Sequence, residues 1–433
     1  MKYSQFNTLI PYKNNYVFHN SFTNKFLFIN PLLKELIEAS KNENNIDELK
    51  DIHIDLYNSL VDLGFLIETK TDEIQKVKGL IHTVDYNDEE YYLIINPTMN
   101  CNFDCWYCYE THERQSRVLD TSLDKITLFI SNIIQENKKL KKFTIQFFGG
   151  EPLLYFKKTV LPIMKFIYQI ARENYIKLSI NFTTNGYLIN NEMIEYFVKY
   201  EVNGFQITFD GNKENHNKVR FVSKNKGSYD KIVENVKKLV KNKINITFRI
   251  NYTEKNLIGL DEIFNDFQDL SMKERNKMML SMNKVWEEKN KNLGKEVVAF
   301  KEKAKTFGFK IPDSLLSDRV RNSCYADKYN QATINYNGDV YKCNAREFDK
   351  NSREGVLNKA GYIDWNEKRD YRMNIKLKNN ACLECKILPI CGGGCSQQAI
   401  EYDGRDYCVN DYDEAKKEDI VLGMFLSENL ENV

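Results

Sequence analysis

Hydrophobic and polar positions follow two different rhythms along the chain. Over the first 88 residues, short apolar alternations at Thr8–Ile10, Tyr16–Phe18 and Phe26–Ile29 predict three strands. Asn14-Asn15 and Asn20 to Asn24 supply the turns between them. Pro31 then opens a helix with Leu32, Leu33, Leu36 and Ile37 on one face, because proline suits the first helical turn. A second helix carries Ile54, Leu56, Leu60 and Leu63 and stops at Gly64. Strands followed by helices predict a compact, winged-helix-like module, and polar Glu68 to Lys78 reads as a linker.

From Tyr91 the pattern becomes a regular exchange of strand and helix. Strands are predicted at Tyr92–Ile95, Phe143–Phe148, Leu178–Phe182, Phe205–Phe209, Ile244–Ile250 and Met279–Val285. Helical patterns lie between and after them, at about 119–137, 155–173, 190–200, 229–241, 257–270 and 296–307. Strands joined by crossover helices pair in parallel, which implies an α/β open sheet or a partial (β/α)6 barrel. In either fold, chemistry gathers at the carboxyl ends of the strands.

Lys plus Arg is 62 and Asp plus Glu is 61, a formal net charge of +1. That balance gives no cationic surplus for nucleic acid. No apolar run is long enough to cross a membrane. Met1-Lys2-Tyr3-Ser4-Gln5-Phe6-Asn7 has no signal core, so a cytoplasmic address is expected. Lys138-Lys139-Leu140-Lys141-Lys142 reads as a solvated helix end. In a reducing compartment, cysteines point to metal or catalysis rather than disulfides.

The ten cysteines fall in two places: Cys101, Cys105 and Cys108, then Cys324, Cys343, Cys382, Cys385, Cys391, Cys395 and Cys408. Cys101-x3-Cys105-x2-Cys108 offers three thiolates, so a four-iron cube bound there keeps one iron open. Structural zinc wants four closed ligands, and only His112 lies nearby. The triplet resembles the radical S-adenosylmethionine (SAM) superfamily. That resemblance implies that the open iron binds the amine and carboxylate of SAM, and that one electron cleaves SAM to a 5′-deoxyadenosyl radical. Motifs that resemble the rest of the SAM site follow in order. Phe148-Gly149-Gly150-Glu151-Pro152 ends the second strand of the alternation, where Glu151 is suited to accept from an ammonium. Thr183-Thr184-Asn185-Gly186 ends the third and Thr208-Phe209-Asp210-Gly211 the fourth, with His216 and Arg220 beyond. Asn185, Thr208, Asp210 and Arg220 resemble ribose and carboxylate contacts, and Tyr107 resembles the aromatic that packs on adenine. Arg249 is a carboxylate partner or a member of a structural ion pair, and His216 reads as a structural turn residue.

Seven cysteines exceed one tetrahedral site, so the C-terminal array implies at least two. It resembles the SPASM extension of peptide-modifying radical SAM enzymes, down to Gly338 five residues before Cys343. By that resemblance Cys382, Cys385, Cys391 and Cys408 hold one [4Fe-4S] cluster, and Cys324, Cys343 and Cys395 contribute to another, three clusters in all. Fully ligated relatives have an eighth cysteine before the position of Cys324, and here none occurs between 109 and 323. The fourth position of that cluster is then another side chain, water or a substrate cysteine, an open site being favoured.

Expected domains are a peptide-recognition module at 1–88, a radical SAM core at 89–310 and a SPASM domain at 311–433. The expected function is maturation of a ribosomally made precursor peptide, which the first module captures through its leader by adding a strand beside Phe26–Ile29. A Cys-sulfur-to-carbon thioether is the favoured product, with carbon–carbon or ether cross-linking next. Anaerobic sulfatase-type maturation is disfavoured because Asn344 follows Cys343 where those enzymes carry an Asp base. A flavodoxin- or ferredoxin-type reductant is implied. A plain iron–sulfur electron carrier is the non-enzymatic alternative, and an intact SAM pocket speaks against it.

Overall fold

The computed structural model describes residues 1–42, 46–223, 225–288, 293–312, 318–403 and 405–430. The chain forms two compact units, one of residues 1–87, 313–329 and 370–433, the other of residues 88–312 and 330–369.

In the first unit, strands β1 (Lys2–Tyr3), β2 (Asn7–Tyr12), β3 (Asn15–Asn20), β4 (Lys25–Ile29) and β5 (Leu66–Ile67) make two small antiparallel sheets, β2-β3-β4 and β1-β5. The three alternating segments expected from the sequence are β2, β3 and β4. Helices Pro31–Asn42 and Ile54–Asp62 follow, with Gly64 at φ +83° after the second. Leu33, Leu36 and Ile37 form the inward stripe of the first helix, while Leu32 is 72% exposed, contrary to expectation. One residue turns a helix by about 100°, which carries Leu32 off that stripe. Ile54 is likewise exposed.

The expected linker is instead largely a helix, Glu73–Asp85. Asp72 caps it by accepting from the Gln75 N–H at 2.9 Å, and Val77 and Ile81, four apart, are buried. Its charged face disguised a two-residue apolar stripe. Val77 and Ile81 pack with Phe6, Val320 and Leu388, so segments far apart in sequence share a core within this unit.

The second unit is built on β6 (Glu90–Ile95), β7 (Lys142–Phe147), β8 (Lys177–Thr184), β9 (Gly204–Phe209), the hairpin β10 (Phe221–Ser223) and β11 (Lys226–Gly227), β12 (Asn245–Tyr252), β13 (Met278–Lys284), β14 (Gln331–Ile334), β15 (Asp339–Tyr341), β16 (Gly355–Leu357) and β17 (Ile363–Trp365). The main sheet runs β13-β12-β9-β8-β7-β6-β14-β15-β16-β17. From β13 to β14 every neighbouring pair is parallel. The six expected strand–helix units are all present and the run does not close, as a partial barrel requires. The seventh parallel strand, β14, was not foreseen. Its four residues are all buried, too short a run to signal itself, and it leads into the antiparallel β15–β17.

Helices Asp120–Glu136, Asn191–Lys199, Tyr229–Lys241 and Gly294–Phe307 stand close to their predicted places. The expected helix at 155–173 is regular only from Leu161 to Glu173 and is preceded by a 3-10 turn and a π turn. Pro162 in its first turn lacks the N–H needed to extend the ladder backwards. Between 257 and 270 the chain is mainly a 3-10 helix, Leu260–Phe267, after Gly259 in left-handed geometry at φ +69°. Among the described residues no helix is long and apolar enough to cross a membrane.

Candidate functional site

The strand ends of the second unit frame an open cleft of about 1000 Å³, its mouth included. Cys101, Cys105 and Cys108 line it, with Tyr107, Gly149, Gly150, Asn185, Thr208, Arg220 and Arg249. They come from five parallel strands, β6, β7, β8, β9 and β12, or from the segments that follow them. The regular alternation therefore delivers dispersed sequence motifs to one place.

The triplet occupies a loop after β6 with little secondary structure of its own. Burial pushes the Cys101 thiol up to about 12 and Cys108 to about 11, and raises Cys105 as well. Such thiols surrender their protons to a metal rather than to water. Cys108 Sγ lies 3.6 Å from His112 Nε2. Among the described residues no three metal-ligating side chains converge tightly enough for a single ion. Three soft thiol donors spaced around a cleft fit an iron–sulfur cluster by donor chemistry.

Glu151 is fully buried, and its carboxylate is occupied by the chain itself. Oε1 accepts from Thr184 Oγ1 at 2.7 Å and from the Leu153 N–H at 3.0 Å. Oε2 accepts from the Asn185 N–H at 2.8 Å. Burial raises its pKa and these three donors oppose the rise. Glu151 therefore locks the loop after β7 to the loop after β8, and it is Gly149 and Gly150 that face the cleft. A Cβ on Gly150 would lie 2.3 Å from the Asn100 carbonyl oxygen, directly under the cysteine loop. The glycines allow backbone to approach backbone here.

Asn185 Nδ2 donates to Asn102 Oδ1 at 2.9 Å and reaches Cys101 Sγ at 3.9 Å, joining the loop after β8 to the first cysteine. On the far side, Arg220 Nε donates to Asp210 Oδ2 at 2.5 Å. Arg220 Nη2 also donates to the Tyr107 hydroxyl at 2.8 Å, and that hydroxyl donates to Asp210 Oδ1 at 2.5 Å. Asp210 and Arg220 are buried, and the closed triangle fixes the ring of half-buried Tyr107 in the wall of the cleft. His216 is buried, accepts from the Asp210 N–H at 3.4 Å and meets Ser228 Oγ at 3.0 Å, a structural role. Burial holds it well below the usual histidine range. Arg249 Nε donates to Asn251 Oδ1 at 2.9 Å, and burial lowers its pKa.

Glu110, Asn251, Lys284 and Trp286 are among the cleft residues that nothing in the sequence singles out. Glu110 Oε1 is buried with no hydrogen-bond partner among the described residues, and burial pushes its carboxyl up to about 8. Trp286 is exposed and stacks on Tyr109 at 5.5 Å between ring centroids. The position of Glu110, two residues beyond Cys108, was the available signal. Trp286 gave none, because only the parallel register brings the end of β13 to this cleft.

In the first unit, Cys382, Cys385, Cys391 and Cys408 line one pocket of about 370 Å³ with Gly393. A Cβ on Gly393 would lie 3.1 Å from Cys382 Sγ, so the glycine run keeps backbone clear of the thiols. Burial pushes Cys382 up to about 12 and raises Cys391. This donor set also fits an iron–sulfur cluster. Cys324 and Cys395 belong to the same unit, and Cys343 to the other.

Comparison with known proteins accords with this geometry. Residues 95–266 match the Radical SAM superfamily profile and form a radical SAM domain. The chain is 23% identical over 377 residues to the radical SAM cyclopropyl synthase TigE of Paramaledivibacter caminithermalis, covering 79% of this chain and 76% of that protein. The fold is like that of anSMEcpe with bound AdoMet, with TM-score 0.60 and 19% identity over 79% of this chain and 95% of the other. It is also like that of Streptococcus suis SuiB bound to precursor peptide SuiA, with TM-score 0.51 and 16% identity over 94% and 98%.

Proposed function

From a chain that is an enzyme of the radical SAM superfamily, we propose maturation of a ribosomally made precursor peptide in the cytoplasm, with closure of a new covalent bond within that peptide. The observation that carries this reading is the meeting of Cys101, Cys105 and Cys108 with residues of the three strand-end motifs in one cleft. Those three cysteines would hold the SAM-binding cluster. Cys382, Cys385, Cys391 and Cys408 would hold one auxiliary cluster, and Cys324, Cys343 and Cys395 would contribute to another. When bound, these groups supply one-electron cleavage of SAM, hydrogen abstraction and a destination for the electron released on bond closure. The protein's own part is orientation. Glu151 fixes the two loops beside the cysteines, the Asp210–Arg220–Tyr107 triangle fixes the opposite wall, and Arg249 offers a cation for a carboxylate. The winged-helix-like N-terminal module would capture the leader on the edge strand β4, where Phe28 is exposed. A flavodoxin- or ferredoxin-type protein would deliver the electron.

A thioether from a substrate cysteine is the favoured bond, since seven C-terminal cysteines leave one ligand position for a substrate thiolate. The likeness to a cyclopropyl synthase favours carbon–carbon closure as the second reading. Incubating reduced, anaerobic enzyme with SAM and the short peptide encoded beside it tests both. The expected result is 5′-deoxyadenosine together with a peptide lighter by two hydrogens. A product cysteine that no longer alkylates marks a thioether, and one that still alkylates marks carbon–carbon closure. Absence of 5′-deoxyadenosine would overturn the proposal.

A further inference from the structure

One ionic cluster in the first unit has no part in the cleft chemistry. Lys376 is nearly buried, with Nζ at 3.2 Å from Asp85 Oδ2 and 3.2 Å from Asp327 Oδ2. Side-chain exposure falls to 5% for Asp85 and 2% for Asp327. Burying an ion pair gains little over apolar packing of the same volume, because desolvation offsets most of the attraction. Its value lies in fixing geometry, since breaking it leaves an uncompensated buried charge.

What it fixes is visible in the remaining bonds of Asp327. The Asp327 N–H donates to the Cys324 carbonyl at 2.9 Å, closing the short 3-10 turn Tyr325–Asp327 that Cys324 begins. Its Oδ1 accepts from the Ser396 N–H at 2.9 Å, directly after Cys395. Arg372, also buried, holds the same turn by donating to Ser396 Oγ at 3.1 Å and Gln397 Oε1 at 2.8 Å. One carboxylate thus stitches the Cys324 turn to the Cys395 turn, and Lys376 holds that carboxylate in place. Asp85, the last residue of the helix Glu73–Asp85, takes the other side of the ammonium.

We propose that Asp327 and Lys376 are positioning residues for the auxiliary iron–sulfur site, holding the Cys324 and Cys395 segments at a fixed separation. The proposal rests on the auxiliary-cluster part of the function given above. A buried cation and a buried anion beside cluster ligands also act on its potential in opposite directions, because local charge sets how readily a cluster is reduced.

The test uses full-length enzyme carrying Cys101→Ala, Cys105→Ala and Cys108→Ala, so that only auxiliary clusters contribute to an EPR-monitored redox titration. Adding Lys376→Met should change the auxiliary line shape and move its midpoint to lower potential, while Lys376→Arg should keep the parent spectrum. Asp327→Asn keeps an acceptor oxygen for Ser396 while dropping the charge. It should move the midpoint upward and remains informative if Lys376→Met does not fold. A purely structural role would lower melting temperature in both variants and leave line shape and potential at the parent values. That outcome overturns the proposal alone. A triple-alanine parent with no iron–sulfur signal would overturn the auxiliary reading itself, and this inference with it.

Discussion

The two units carry their cysteines on very different supports. In the second, one continuous apolar core runs from Tyr91 to Leu357 beneath the parallel strands, and the cysteine loop rests on top of it. In the first, the buried apolar residues fall into four small separate clusters. Its cysteines sit on short turns and helices a few residues long, such as Asn380–Leu383 and Leu388–Cys391. A sheet core stands without metal, and the cysteine loop borrows its rigidity. Small clusters bury too little surface to offset chain entropy with a wide margin, so metal ligation at the proposed auxiliary site would be part of folding.

Four measurements sharpen or break that contrast. The largest effect is expected on catalysis. Replacing Cys101, Cys105 and Cys108 by Ala should abolish 5′-deoxyadenosine formation by at least ~1000-fold while shifting Tm by less than ~2 °C, since the core lies elsewhere. A large fall in Tm would show that the loop supports the second unit. Next, Cys382→Ala or Cys408→Ala should remove iron and lower the melting of the first unit by ~10 °C, corresponding to several kcal/mol. Retained iron with unchanged melting would put the two units on an equal footing.

A smaller effect is expected on the β4 edge. Phe28→Asp should weaken precursor binding ~10-fold in fluorescence anisotropy and leave uncoupled SAM cleavage unchanged. Substitution is a cleaner test than removing residues 1–88, because Phe6 and Val77 share a core with Val320 and Leu388. Unaltered affinity would make the module purely structural.

The last effect concerns acid. Burial lowers His19 from 6.5 to about 4, against the opposing effect of a hydrogen bond that its ring donates to Asn24 Oδ1. The folded state thus binds its proton less readily than the unfolded chain does. Stability from the neutral ring is full above pH 6.5 and is lost as pH falls toward 4, by up to ~3 kcal/mol. Acid titration of melting should show the first unit losing this increment, and His19→Gln should flatten the slope. An identical slope in the variant would remove His19 as its source.

Local pattern carried a great deal of this molecule. The strands β6, β7, β8, β9, β12 and β13 were legible because each is a compact apolar run flanked by helical periodicity. Thiol spacing marked both cysteine regions, since the grouping of cysteines is written directly in the chain. Short or mixed segments were not legible. β14 has four residues, and the helix Glu73–Asp85 shows two buried positions among charges.

Sequence alone, then, determined which donor side chains are carried and the order of the strand-end motifs, because residue type and periodicity are local properties. Which groups remain available for a ligand was decided by tertiary structure. Glu151 reads in sequence as an acceptor for an ammonium, yet folding places three donors from two loops on its carboxylate. Glu110 and Trp286 read as unremarkable, yet folding turns both into the cleft. A hydrogen bond between residues far apart along the chain exists only once the strands are in register, and no local pattern records it.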